Sequence, residues 1–299
     1  MRITNNMATQ LAVMQFDVAR QKLEEAQRKV TTGKAFSTAS EDPTAASAVM
    51  SNSGALRSLD QYKRNIGAAN RRLTLEQSAV DQLDLILTRA KELAISQATD
   101  TASQQTRQVA RAEVNQMLQQ AVTLANMQDG SEYLFGGTKS DTAPFDADTS
   151  GSVYSFTATG GSGDRRVHIG AGQLASTSHD GTQVFGTTSS GALKALQDLA
   201  AALSTGTRPA VTTSLTAIDD ALSSLQTVVG ELGARQNQMQ IAESNVSAFR
   251  QNLIALNSDL QDVELETAIT DLVARQTAYQ AAMSATSRVM NMNLTDYLR

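Results

Sequence analysis

Cysteine and tryptophan are absent from these 299 residues, proline occurs three times, histidine twice, and aromatic residues make up 4%. Without cysteine there is no disulfide, no thiolate nucleophile and no Cys-ligated metal. So few aromatics, set among abundant Ala, Leu, Gln, Ser and Thr, favour helix-on-helix packing of small and aliphatic side chains over a bulky aromatic core. The formal net charge of -5 supplies no excess of Lys and Arg for phosphate contacts, which argues against nucleic acid as a partner. No apolar run approaches the ~20 residues that a bilayer requires, so no membrane insertion is expected. The first ten residues, MRITNNMATQ, contain neither an apolar core nor a small-residue cleavage site. The expectation is therefore no classical secretory signal, leaving the cytoplasm or export by a route that reads something else.

What is present is helical periodicity. Tyr62, Ile66, Ala69, Leu73, Val80, Leu83, Leu87, Ala90 and Ala94 fall on one seam, interrupted only by Glu76. A second seam runs Val211, Leu215, Ile218, Leu222, Leu225, Val229, Leu232, and a third Val246, Phe249, Leu253, Leu256, Leu260, Val263. Near the N-terminus the theme repeats with Phe16, Ala19, Leu23, Ala26 and Val30. Alternating steps of three and four sustained this long predict coiled-coil-like packing of long helices. The seams over 62–94 and 211–263 are long enough to satisfy one another within the chain.

Between about 130 and 191 the composition changes: 12 of the 18 glycines, both histidines and half of the Phe and Tyr residues lie there. "SVYSFTATG" and "RRVHIGAG" alternate apolar and polar residues between glycines, the pattern of short strands. The expected fold is mainly α: a long coiled-coil-like rod formed by N- and C-terminal arms, with a small β-rich domain inserted in the middle. Its expected divisions are terminal assembly arms at 1–42 and 265–299, a helical rod at 43–130 and 190–264, and the inserted outer domain at 131–189.

"TTGKAFSTASEDP", residues 31 to 43, tests a nucleotide reading, because a Gly-Lys pair is part of the phosphate-binding P-loop. That loop needs a glycine five residues ahead of the pair and a Ser or Thr after the lysine; here Arg28 and Ala35 occupy those places. The stretch reads instead as a joint between helices. Gly33 supplies a C-cap, Asp42 an N-cap, and Pro43 a first helical residue whose missing N–H costs nothing. The two histidines, His168 and His179, lie near Asp164 and Asp180 in the Gly-rich segment, outside any HExxH helix. They read as solvated turns rather than a metal site, and no catalytic residue, cofactor site or metal site is expected. A Ser-His-Asp set can be drawn from any chain this rich in serine and carries no weight.

"TTGKAFSTASEDPTAA" resembles a Ser/Thr-Gly-Lys to Asp-Asp-Pro segment of the bacterial flagellin superfamily, with Glu41 standing where Asp is usual. "RAKELAISQA" at 89–98 and "ELGARQNQ" at 231–238 are similar to further motifs of that superfamily, in the same order. "ANMQDGSEYLFGGTKSDTAPF" at 125–145 resembles the lead-in to the middle domain of hook-associated proteins of the hook-filament junction type, which ordinary flagellin lacks. The likeness extends to "MRIT" and "NLTDYLR" at the two ends.

The resemblance implies a structural adaptor, not an enzyme, located outside the cell at the hook-filament junction and exported by the flagellar apparatus without a cleaved signal. Its implied partners are further copies of itself in a ring, a neighbouring hook-associated protein on the hook side, flagellin on the filament side, and an export chaperone at the C-terminal arm. The alternatives are flagellin itself and a secreted coiled-coil adhesin. The assembly residues expected on the arms are Leu11, Phe16, Leu23, Val30, Leu265, Ile269, Leu272, Tyr279 and Met283. Ordering about forty residues at ~1–2 kcal/mol each exceeds what so few apolar side chains return, so the arms need partners beyond themselves.

Overall fold

The computed structural model describes residues 2–99, 103–148, 155–159, 161, 163–205 and 207–297. Among these residues seven helices carry most of the length: α1 (Arg2–Thr32), α2 (Pro43–Gln97), α3 (Gln104–Ala125), the single turn α4 (Gly181–Val184), α5 (Ala192–Thr205), α6 (Arg208–Gln261) and α7 (Leu265–Tyr297). Between α3 and α4 lie three antiparallel hairpins. They pair β1 (Gln128–Asp129) with β2 (Glu132–Tyr133), β3 (Phe145–Asp148) with β4 (Ser155–Ala158), and β5 (Arg166–Gly170) with β6 (Gln173–Ser176). The protein is thus mainly α, with long helices at both ends and a small strand-containing region in the middle. Among the described residues, no helix is long and apolar enough to cross a membrane.

The chain divides into two compact units, Met1–Ser58 with Phe249–Arg299, and Leu59–Ala248. Both boundaries fall inside α2 and α6, so each of those helices contributes to both units. Residues 131–189, expected as a separate outer domain, lie inside the second unit and share its core.

In the second unit the α2 seam is buried from Ile66 onward, with Tyr62 half-buried: Ile66, Leu73, Val80, Leu83, Leu87, Ala90 and Ala94 have no exposed surface. It meets Val114, Leu118 and Ala121 of α3, the Leu193-Leu196-Leu199-Leu203 face of α5, and Val211, Ile218, Leu225 and Leu232 of α6 in one continuous core. On α6 the seam differs from its sequence reading. Val228 is buried and Val229 is exposed, because the covered face repeats every seven residues as Val211, Ile218, Leu225 and Leu232 with Ser214, Ala221 and Val228, one position before the Leu215-Leu222-Val229 row read from spacing.

The strand region joins this core through aromatic rings. Phe185, at the end of α4, lies 4.9 Å from Phe135 and 5.9 Å from Phe145, edge-on to both. Asn126, at the C-cap of α3, holds Phe145 in place with both amide atoms, donating to its carbonyl at 2.7 Å and accepting from its N–H at 3.0 Å. The "YLFGG" stretch brings Leu134 and Phe135 into the core, and its second glycine, Gly137, has φ +57° and packs against the carbonyl of Gly161, where a side chain has no room.

In the first unit α1 and α7 run antiparallel. Phe16 stacks on Tyr279 at 5.2 Å, and Thr286 Oγ1 donates to the Ala12 carbonyl at 3.4 Å. Where these helices leave the joint, Lys34 and Asp262 form an antiparallel bridge, with Ala35 N–H on the Gln261 carbonyl at 2.7 Å and Val263 N–H on the Gly33 carbonyl at 2.9 Å.

Candidate functional site

The terminal helices carry the residues that sequence singled out, and the structure sorts them onto two faces. Phe16, Leu23 and Val30 of α1 and Leu272 and Tyr279 of α7 are half-buried, on the sides of the two helices where Ala26 and Ala268 are fully covered. Leu11, Leu265, Ile269 and Met283 are 50–54% exposed. Leu11 belongs to a stripe that periodicity did not reveal: Met7, Leu11, Met14 and Val18, all exposed, follow one another at helical steps of four, three and four. On α7 the matching open face runs Leu265, Ile269 and Val273. Each terminal helix therefore has one apolar stripe half or fully covered and a second that is open. A search for more than one heptad seam per helix finds the second stripe.

The third seam of the sequence divides in the same way. Val246 is buried, Leu253, Leu260 and Val263 are half-buried, and Phe249 and Leu256 are exposed, Phe249 at 63%. The expectation that 211–263 is satisfied within the chain holds fully at Val211, Ile218, Leu225, Leu232 and Val246 and fails at Val229, Phe249 and Leu256; at the last two the first unit brings too few elements together to cover every face of α6.

At the joint, Gly33 has φ +69° and its N–H donates to the Lys29 carbonyl at 2.9 Å, a left-handed helix cap. Asp42 caps α2, its Oδ1 accepting from the N–H groups of Thr44 at 3.1 Å and Ala45 at 2.9 Å, and Pro43 is the first helical residue. Glu41 is tied back: its Oε2 accepts from Ser37 N–H at 2.9 Å and its Oε1 sits 3.2 Å from Arg28. The Ser37 N–H, with Thr38 and Arg28 behind it, holds the Glu41 carboxyl below the usual carboxylate range. Asp42→Ala removes two N-terminal hydrogen bonds from α2. A loss of about 1 kcal/mol in unfolding free energy is expected from denaturant titration.

Among the described residues, the buried titratable side chains Arg72, Glu76, His179 and Asp180 lie in or against the strand region. Arg72 of α2, 5% exposed, donates to the Tyr133 and Leu134 carbonyls at 2.8 and 3.0 Å and lies 3.5 Å from Glu132, which also pairs with Arg165. His168 is exposed, as read from sequence. His179 is not a solvated turn: it is 1% exposed, between Glu76 of α2 and Glu231 of α6. Its fold partners lie far away in sequence, so composition alone placed it in solvent. The signal that could have found it was Glu76, the one charge on an otherwise apolar seam. Among the described residues no group of three or more His, Asp or Glu side chains is arranged to hold a metal ion.

A mainly helical chain whose two ends pair with each other, around a strand-containing insertion that shares its core with the flanking helices, defines a restricted class of proteins. The bacterial flagellin N-terminal helical region matches residues 3–140, and the bacterial flagellin C-terminal helical region matches residues 215–298. The chain belongs to the flagellin superfamily. It is similar to flagellar hook-associated protein 3 of Escherichia coli K12, 27% identical over 290 residues that cover 89% of this chain and 90% of that one. It is also similar to a flagellar filament 30.7 kDa core protein of Treponema maltophilum, 24% identical over 95% of this chain and 94% of that one. Among solved structures, a flagellar hook-associated protein from Vibrio parahaemolyticus shares the fold with a TM-score of 0.66 and 22% identity, over 74% of this chain and all of that one.

Proposed function

We propose that this chain is a structural adaptor of the bacterial flagellum that joins hook to filament and seeds flagellin polymerisation. The similarity to hook-associated protein 3 along nearly the whole chain carries this reading, and the "YLFGGT" lead-in to the insertion, which ordinary flagellin lacks, supports it over the filament subunit. Its place is the flagellum, and its role is structural rather than enzymatic.

The mechanism rests on the open stripes of α1 and α7. Met7, Leu11, Met14 and Val18 on one helix, with Leu265, Ile269 and Val273 on the other, are apolar surface that water covers in the free chain. Copies of this protein in a ring, a hook-associated protein on one side and flagellin on the other cover that surface on assembly, so that final ordering of the ends is coupled to incorporation. Loosely held ends suit passage through the flagellar export apparatus, with a chaperone shielding the C-terminal arm before export. Phe249 and Leu256 extend the apolar surface onto α6.

The test is deletion of the gene followed by imaging of the cell surface and analysis of the medium. The junction role requires hooks without filaments and flagellin released unpolymerised. Filament loss with no flagellin in the medium would assign the chain to the filament itself, the reading that the Treponema similarity favours.

A further inference from the structure

His179 stands in the connection 177–180 between β6 and α4 and is 1% exposed. Its Nδ1 lies 2.6 Å from Oε1 of Glu76, a carboxylate with no exposed surface, and its Nε2 lies 2.9 Å from Oε2 of Glu231. Its backbone N–H also donates to Glu76, at 3.1 Å to Oε1 and 3.3 Å to Oε2. A neutral imidazole has one N–H: it donates to one carboxylate and turns a lone pair toward the other. Only the imidazolium donates to both at once.

We propose that His179 is a pH-operated clasp, which ties the strand region to both α2 and α6 while it carries its proton and lets go of one helix when it loses it.

The charges around it are unequal in number and in reach. From α2 come Glu76 and, one turn earlier, Arg72, whose guanidinium is engaged with Glu132 and two backbone carbonyls. From α6 come Glu231 and Arg235. Arg235 lies 3.9 Å from Glu231 but 3.1 Å from Asp164, and donates to the Ser178 carbonyl at 2.9 Å. On the strand region itself, Asp180 caps α4 through Thr182 N–H and accepts from Gly163 N–H, and Asp164 accepts from Ser176 Oγ. Both nearby guanidinium groups thus have closer partners elsewhere, and the imidazole makes the shortest contact to each of the two carboxylates. Burial works against the charged form of His179, but the Glu76 hydrogen bond and charge, then the Glu231 bond, outweigh burial and the opposing Arg235, so the proton is held above the ordinary histidine value.

The sign follows from linkage. A folded-state value raised above the unfolded one, about 6.5, gives stabilisation that is complete below that pH and is lost as pH rises through the folded value. Above it, Glu76 keeps one N–H donor from the ring while Glu231 faces a lone pair and turns to solvent.

The experiment uses the intact chain, with the imidazole of His179 followed by NMR and the melting temperature measured from pH 5.5 to 9. His179 is expected to titrate above about 6.5, and melting temperature to fall through the same window. Glu231 is 55% exposed at its side chain, so Glu231→Gln keeps the fold; it is expected to move both midpoints down by about one pH unit. His168→Gln, at the exposed histidine, should leave the profile unchanged. His179 titrating at or below 6.5, or a Glu231→Gln profile that superimposes on the wild type, overturns the clasp; His179→Gln, if it folds, should abolish the step.

Discussion

A chain carrying Leu11→Glu together with Ile269→Glu is expected to melt like the wild type and to be lost from the flagellum. Both residues are 50% exposed on helices whose covered seams run elsewhere, so neither change disturbs the packing of α1 with α7. Glu is a good helix former, and exposed substitutions of this kind usually stay within about 0.5 kcal/mol. Assembly is different, because an interface that covers these positions must then bury two carboxylates without partners, at several kcal/mol each. The comparison variant is Phe16→Ala, which removes the ring stacked on Tyr279 at 5.2 Å and should lower the melting temperature of the free chain as well. The measurements are thermal unfolding by circular dichroism and filament formation in a strain whose only copy carries the change. Normal filaments on the double variant would mean that these stripes are not covered on assembly.

The second large effect concerns Phe185, which has no exposed surface and touches the rings of both Phe135 and Phe145. Phe185→Ala is expected to cost about 3–5 kcal/mol. The loss should appear in the helical signal, since Phe185 belongs to the same continuous core as Leu73, Leu83 and Leu118 of the long helices and Leu196 of α5. The strands among the described residues of the insertion form short two-stranded hairpins, which are marginal without a surface to pack on. A helical melting curve that ignores this substitution would mean instead that residues 131–189 fold as a unit of their own.

Much of this was legible in the chain because the physics is local. The three-four spacing from Ile66 to Ala94 can bury only one face of a helix, and that face is the buried one. Gly33, Asp42 and Pro43 have few other uses in that order, and the glycines clustered between about 130 and 191 mark where the long helical periodicity stops. The flagellin-type motifs are likewise short runs of neighbouring residues, readable without knowing what they touch.

Other features depended on partners that no local pattern names. His179 is separated by 103 positions from Glu76 and by 52 from Glu231, so nothing in its own neighbourhood distinguishes a buried cation from a solvated turn. Phe249 and Leu256 fit a heptad as well as Val246 does, yet only Val246 finds a covering neighbour within the chain. Leu11, expected beside Phe16 among the assembly residues, lies on a second stripe that is exposed where that of Phe16 is half-buried. Spacing along a helix determines which residues share a face, because the helical rise and turn are constant. Which face is covered depends on the helices that reach it, and that is settled only when segments hundreds of positions apart, such as α1 and α7, come together.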